Sequence, residues 1–150
     1  MILYLDTSAL AKLYLAEAES LAVKKLVQEA EMTATSVITR VELSAAIAKA
    51  VRMKLISRSA AQKVLDVFHR DWPDFGALQI TEAVLSSADR FAWQMGLRGY
   101  DAMHLAAAHV WQQSLSEPVT VATFDHQLWS AVRDTSMIAW PPELLVIVRT

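Results

Sequence analysis

Ile2-Leu3-Tyr4-Leu5-Asp6-Thr7-Ser8-Ala9-Leu10 decides how this chain folds. An apolar run of strand length stops at an acid. Two hydroxyl residues follow, and a helical spacing of apolar residues (Leu10, Leu13, Tyr14) begins behind them. The pattern reads as buried strand, acid, helix N-terminus. In a parallel α/β sheet such a junction lies at the carboxyl edge of a strand, where ligands bind.

Working outward, Glu17 to Ala30 reads as a helix with Leu21, Leu26 and Val27 on its apolar stripe and Lys24 and Lys25 on its wet side. Met32 to Val37 is small and β-branched, a second strand. Thr39-Arg40-Val41-Glu42 opens a helix to about Met53, with Leu43, Ala46, Ile47 and Ala50 on its apolar face. Ser57 or Ser59 can cap the next helix, which runs to about Trp72. Asp74 to Gly76 make a turn before a short third strand, Ala77 to Ile80. Thr81 starts a helix that Gly96 or Gly99 ends, and Asp101 begins one that is apolar nearly all round, as suits the centre of a molecule. Val119 to Phe124 is the most strand-like run, and Asp125 closes it. A short helix to about Arg133 precedes a fifth strand, Met137 to Trp140, which Pro141-Pro142 ends. Leu144 to Val148 form an apolar tail, a sixth strand or a subunit contact. Strands separated by helices imply crossover connections and a parallel sheet in one α/β domain, residues 1–150. The helices from Thr39 to Trp72 are the only long excursion between strands and are expected to project as an arm.

Composition narrows the class. With 54% hydrophobic and 20% charged residues the chain is not disordered, and its apolar content leads us to expect an oligomer or a stable partner. A formal net charge of -2 excludes a broadly basic nucleic-acid clamp, so contact with nucleic acid must rest on local patches or metal. There is no cysteine, so disulfide and thiolate chemistry are excluded. No signal-peptide pattern is visible, and the longest charge-free run, Ala102 to Ser116, falls short of the ~18–20 apolar residues of a membrane span. The expectation is a soluble, cytoplasmic protein.

Four acids fall at strand ends or helix starts: Asp6 after strand one, Glu42 on the first turn after strand two, Asp101 at the start of the central helix and Asp125 after strand four. In a parallel sheet these positions share one face. Each also has an ordinary reading. Asp is a favoured N-cap, acids complement a helix N-terminal dipole, and Thr39-Arg40-Val41-Glu42 matches a capping box. As a set they point to more. Thr7 and Ser8 could cap in place of Asp6, and Asp101 puts a charge on an otherwise apolar helix, costly unless paired or bound to metal. A divalent cation relieves the repulsion among clustered carboxylates, and their hard oxygens suit Mg²⁺ or Mn²⁺. Metal-assisted phosphodiester hydrolysis uses such a cluster.

These stretches resemble the motifs of a known family. Asp6-Thr7-Ser8-Ala9, Ser36 to Glu42, Arg98-Gly99-Tyr100-Asp101-Ala102-Met103-His104-Leu105-Ala106 and Thr123-Phe124-Asp125 are similar, in order, to the four motifs of PIN-domain proteins of the VapC toxin type. The third is the most specific, and the resemblance covers essentially the whole chain. It implies a three-layer fold with a five-stranded parallel sheet of order 3-2-1-4-5. It implies a Mg²⁺- or Mn²⁺-dependent endoribonuclease that is homodimeric and inhibited by a VapB-type antitoxin. By the same resemblance Asp6 and Asp101 are the principal metal ligands, Glu42 holds or orients a metal-bound water and can act as base through it, and Asp125 completes the cluster or binds a second metal. Asp125 departs from the pattern in being followed by His126 rather than a second acid.

Thr7 and Thr123 are candidate donors that orient the carboxylates, or ordinary turn hydroxyls. His104, one helical turn from Asp101, is first a core histidine and second a site residue. Arg40 and Arg98 are candidates for phosphate contact or ion pairing. Lys49, Arg52, Lys54 and Arg58 cluster where the arm helices meet, as a solvated turn or an RNA-backbone patch. Trp93 and Trp111 are read as helix core, and Trp72 and Trp140 flank prolines. Two other functions fit the pattern less well. A phosphotransferase with an aspartyl nucleophile usually has a second acid two residues after the first, where Ser8 stands, and a lysine near the site, absent beside Asp101 and Asp125. A non-catalytic PIN-fold binding module would not need the intact acid set.

Overall fold

Strand β1 (Ile2–Leu5) is buried along its whole length, and its side chains alternate between two separate cores. Ile2 and Tyr4 point to one face of the sheet, Leu3 and Leu5 to the other. Residues 1–144 of this computed structural model are described. After β1 come α1 (Thr7–Ala11), α2 (Ser20–Glu29), β2 (Met32–Ser36), α3 (Ile38–Arg52), α4 (Arg58–Asp71) and β3 (Gly76–Leu78). Then follow α5 (Glu82–Met95), α6 (Gly99–Leu115), β4 (Val119–Ala122), α7 (His126–Arg133) and β5 (Ile138–Trp140). All neighbouring strands are parallel, in the order β3-β2-β1-β4-β5 expected from the family resemblance.

Helices cover both faces, as a parallel sheet requires. On one face α5, α6 and α7 bring Val84, Ala88, Phe91, Leu105, Ala106, Leu128 and Val132 onto Ile2, Tyr4, Val119 and Val121. On the other, Leu10 of α1, Val23 and Leu26 of α2, Leu43 and Ile47 of α3 and Ala61 and Phe68 of α4 close over Leu3, Leu5 and Ala122. The pair α3–α4 is the long excursion between strands, but it does not stand away as an arm: Leu43, Ile47, Val51, Ile56, Ala61 and Phe68 pack on this layer along its length, and its turn carries the exposed Met53 and Leu55. Helix α6 fills the centre, with Ala102 and Leu105 to Ala108 buried.

Several local expectations are corrected. Helix α2 starts at Ser20 rather than Glu17, and Leu21, expected inside, is 82% exposed while Val23 and Leu26 are buried. Strand β3 ends at Leu78, and β4 ends at Ala122, before Phe124. Trp93, expected in the core, stands 90% exposed on α5, whereas Trp72 packs edge-on to Phe68 and Trp140 to Phe124. The capping box at Thr39 does not form. Helix α3 starts one residue earlier without a side-chain cap, because the Thr39 hydroxyl is buried against that of Thr35, 2.7 Å away. The 145–148 part of the apolar tail lies outside the described residues. Among those described, no helix is long and apolar enough to cross a membrane.

Candidate active site at the carboxyl edge of the sheet

Parallel strands end together, and that places the acids. Leu5 of β1 is in register with Ala122 of β4, and the Asp6 amide donates to the Ala122 carbonyl at 3.1 Å. The chain therefore leaves β1 and β4 side by side. It turns toward β2 on one side of β1 and β4 on the other, a topological switch point of the kind that binds ligands in α/β folds.

Asp6 is 4% exposed and accepts three hydrogen bonds from neighbours on its own edge. Its Oδ1 accepts from the Ala9 amide at 2.9 Å and the Ser8 hydroxyl at 2.7 Å, and its Oδ2 from the Thr123 hydroxyl at 2.5 Å. Burial pushes the Asp6 carboxyl above its usual range, while the nearby His104 and these donors pull the other way. Thr123 also accepts the Asp125 amide at 3.1 Å, which ties the ends of β1 and β4 through one hydroxyl. Asp125 caps α7 by accepting the Leu128 amide on Oδ1 at 2.9 Å.

Arg98 joins the other two members of this side. Its Nε donates to Asp101 Oδ2 at 2.9 Å and its Nη2 to Asp125 Oδ2 at 2.8 Å. Asp101 lies in the first turn of α6, not at its cap. The guanidinium is 69% exposed, so it reaches the two carboxylates from the solvent side. The two acids hold its own pKa above the usual value.

Glu42 completes the edge from α3. Its Oε1 accepts from the Thr7 hydroxyl at 2.7 Å and from His104 Nε2 at 2.6 Å. Burial raises its pKa, but the hydrogen bonds from His104 and Thr7 outweigh this and hold the carboxyl below its usual range. His104 Nδ1 in turn meets the hydroxyl of Tyr4, fully buried on β1, at 2.7 Å. The result is two polar chains along one edge, Asp6–Thr123–Asp125–Arg98–Asp101 and Tyr4–His104–Glu42–Thr7, joined by one turn of α6 and by the step from Asp6 to Thr7 in the sequence.

All four predicted acids therefore belong to one edge, along with Thr7 and Thr123. Arg98 is the ion-pairing arginine, and Arg40 is exposed. Arg52 and Arg58 line a cavity of about 320 Å³ between α3 and α4 with Ile47, Val51 and Leu65, away from the acids. Sequence reasoning missed Tyr4. Its signal was a phenol on a strand otherwise fully apolar, since a buried hydroxyl needs a partner. Among the described residues, no three acidic or histidine side chains converge tightly enough to hold one ion as they stand. The donor chemistry nevertheless fits a hard divalent cation: all four acids offer oxygen, and Asp101 and Asp125 already share one positive charge, that of Arg98.

A five-stranded parallel α/β sheet with acids at the ends of β1 and β4 and on the following helices defines a class, and comparison with known proteins gives it a name. The PIN domain model matches residues 3–134, and the chain belongs to the PIN-domain family. A Mycobacterium tuberculosis protein named Ribonuclease VapC47 is 32% identical over 145 residues, covering 94% of this chain and 97% of that one. Among solved structures, a toxin-antitoxin complex from Klebsiella pneumoniae has a chain that superposes with a TM-score of 0.67 at 16% identity, covering 97% of this chain and 100% of that one. VapBC2 from Rickettsia felis, bound to a DNA fragment from its promoter, superposes with a TM-score of 0.64 at 16% identity, covering 93% of this chain and 97% of that one. These structural likenesses establish the fold.

Proposed function

We propose that this chain is the toxin of a toxin-antitoxin pair and acts as a Mg²⁺- or Mn²⁺-dependent endoribonuclease. The observation that carries the reading is the set of four acids held along the carboxyl edge of the sheet, in a chain whose relative is named a ribonuclease. Asp6, Asp101 and Asp125 would hold the metal, with Glu42 beside it. When bound, the ion neutralises phosphate charge and lowers the pKa of a coordinated water. The chain's own groups do the remaining work. Thr123, Ser8 and the Ala9 amide keep Asp6 aimed along the edge. Glu42, anchored through Oε1, presents Oε2 as the atom that takes a proton from the attacking water. Arg98, once released from Asp101 and Asp125, is a mobile guanidinium suited to a phosphate oxygen.

The partners follow the same reading. The partner would be a VapB-type antitoxin, a reading supported by structural neighbours that are themselves toxin-antitoxin complexes. The exposed apolar side chains of α5 and α6, Leu85, Trp93 and Tyr100, support a homodimer. The place of action would be the cytoplasm, where RNA is available.

The test uses protein purified free of any partner, offered structured RNA with Mg²⁺, Mn²⁺ or EDTA. Cleavage is expected with either metal and absent with EDTA. Asp6→Asn and Asp101→Asn are expected to lower kcat by roughly 10²-fold or more, the scale of losing one group that stabilises transition-state charge. Inertness under every condition, with both variants folded, would overturn the nuclease reading. So would cleavage that EDTA leaves intact.

A further inference from the structure

We propose that Tyr4 and His104 form a buried relay that fixes the aim of the Glu42 carboxylate, making both of them positioning residues of the edge site. The catalytic consequence rests on the nuclease reading above; the relay itself rests on geometry. A carboxylate only accepts hydrogen bonds, so at 2.6 Å from Glu42 Oε1 the His104 Nε2 must carry a proton. A neutral imidazole carries one proton. Nδ1 is then an acceptor, and the Tyr4 hydroxyl, 2.7 Å away, is its donor. The direction of donation runs from Tyr4 through His104 to Glu42. It fixes the tautomer and the ring plane together, and the rings meet edge to face at 71°.

A packing role does not account for this arrangement. Tyr4 is 0% and His104 2% exposed, on a strand and a helix whose other buried members are apolar or alanine. A buried hydroxyl and a buried imidazole are each costly unless bonded, and here each satisfies the other. Phenylalanine and leucine would fill the same space without that requirement. The chain instead runs two polar groups through the centre of the molecule, from β1 to α6, and ends them on one oxygen of Glu42. Thr7 Oγ1 braces that same oxygen at 2.7 Å and lies 3.3 Å from His104 Nε2. Glu42 Oε1 is thereby held from two directions, which fixes where Oε2 points.

The experiment pairs a spectrum with kinetics. In ¹⁵N-labelled protein, two-bond ¹H–¹⁵N correlations of the imidazole rings are expected to show His104 as the Nε2–H tautomer. Its Nδ1 resonance should lie where a hydrogen-bonded acceptor nitrogen appears, and in Tyr4→Phe it should move to the unbonded position. In RNA cleavage, Tyr4→Phe is expected to lower kcat about tenfold with KM held, the lower end of what an orienting partner is worth. His104→Phe should cost about 100-fold, and His104→Gln, which keeps a donor toward Glu42, should recover most of that loss. An Nδ1–H tautomer in the unmodified protein, or an Nδ1 resonance unmoved in Tyr4→Phe, would overturn the relay, as would kcat in Tyr4→Phe within about twofold of the parent. If the parent protein cleaves no RNA, the nuclease reading falls while the spectrum alone still decides the relay. If Tyr4→Phe does not fold, the His104→Phe and His104→Gln pair makes the same comparison.

Discussion

Thr123→Val removes one hydroxyl from the centre of the edge and keeps the shape of the side chain. Thr123 is fully buried. Its hydroxyl donates to Asp6 Oδ2 and accepts the Asp125 amide. A hydrogen bond to a charged group contributes about 1.5–3 kcal/mol, and the partly buried amide about 1 kcal/mol more, so the expected loss is about 2.5–4 kcal/mol near neutral pH. For a domain of this length that is roughly 5–15 °C in Tm. The loss should depend on pH, with a sign that can be worked out. Burial raises the Asp6 pKa in the folded state, so Asp6 contributes stability at low pH that is lost as pH rises through that raised pKa. Thr123 holds the pKa down against burial, and its removal lets it rise further. The gap in stability between parent and variant is therefore widest above the Asp6 pKa and narrows on acidification below it. Comparing the two proteins cancels the titration of acids they share. Urea unfolding from about pH 7.5 to about pH 4 measures the gap directly. A gap below about 1 kcal/mol at the upper pH, or one that stays constant across the range, would refute the account of Asp6 as a charge held in place by Thr123.

Arg98→Ala should change metal-free stability by less than about 1 kcal/mol, because the guanidinium is 69% exposed and its ion pairs are screened. It leaves Asp101 and Asp125 without their shared cation, so the rise in Tm on adding Mn²⁺ should exceed that of the parent; an equal or smaller rise would show that Arg98 does not compete with metal for these acids. Gly76→Ala should destabilise by about 1–3 kcal/mol in denaturant unfolding, since an added Cβ would meet Ala34 Cβ at 3.2 Å across the β2–β3 ladder. No loss would show that this edge pairing is looser than described.

Some of this molecule is plain in its residues and some is not, for physical reasons. Strands β1 and β4 are legible because a central parallel strand is apolar on both faces, and Ile2–Leu5 and Val119–Ala122 are buried throughout. The acids are legible because parallel strands share a carboxyl edge, which turns four distant positions into one place. Boundaries are less so: Glu17 and Phe124 fall outside their expected elements because helix starts and strand ends are settled by neighbours the local sequence does not name. Thr39 illustrates the limit. Its spacing to Glu42 suits a capping box, but Thr35 and His104, from β2 and α6, offer both residues better partners. The Glu42–His104 bond spans 62 positions and the Tyr4–His104 bond 100, distances over which no local pattern carries information. Trp93 shows the converse: helical spacing places it on a face, and only the packed molecule shows that nothing described covers that face.

The choice between a helix cap and a functional acid is a false one at this edge, because a carboxylate has two oxygens. Asp125 caps α7 with Oδ1 and meets Arg98 with Oδ2. Asp6 caps α1 with Oδ1 and holds Thr123 with Oδ2, and each oxygen keeps lone-pair capacity beyond those bonds. Glu42 is anchored, among the described residues, through Oε1. Anchoring one oxygen fixes the direction of the other, so a cap is a means of aiming. The same anchoring concentrates negative charge that the fold alone does not neutralise. Asp6 is buried, and that burial raises its pKa, while Asp101 and Asp125 share a single, mostly exposed arginine. Arg98 offsets their charge from within, and a divalent ion in its place would answer the same electrostatics while freeing the guanidinium to meet a phosphate.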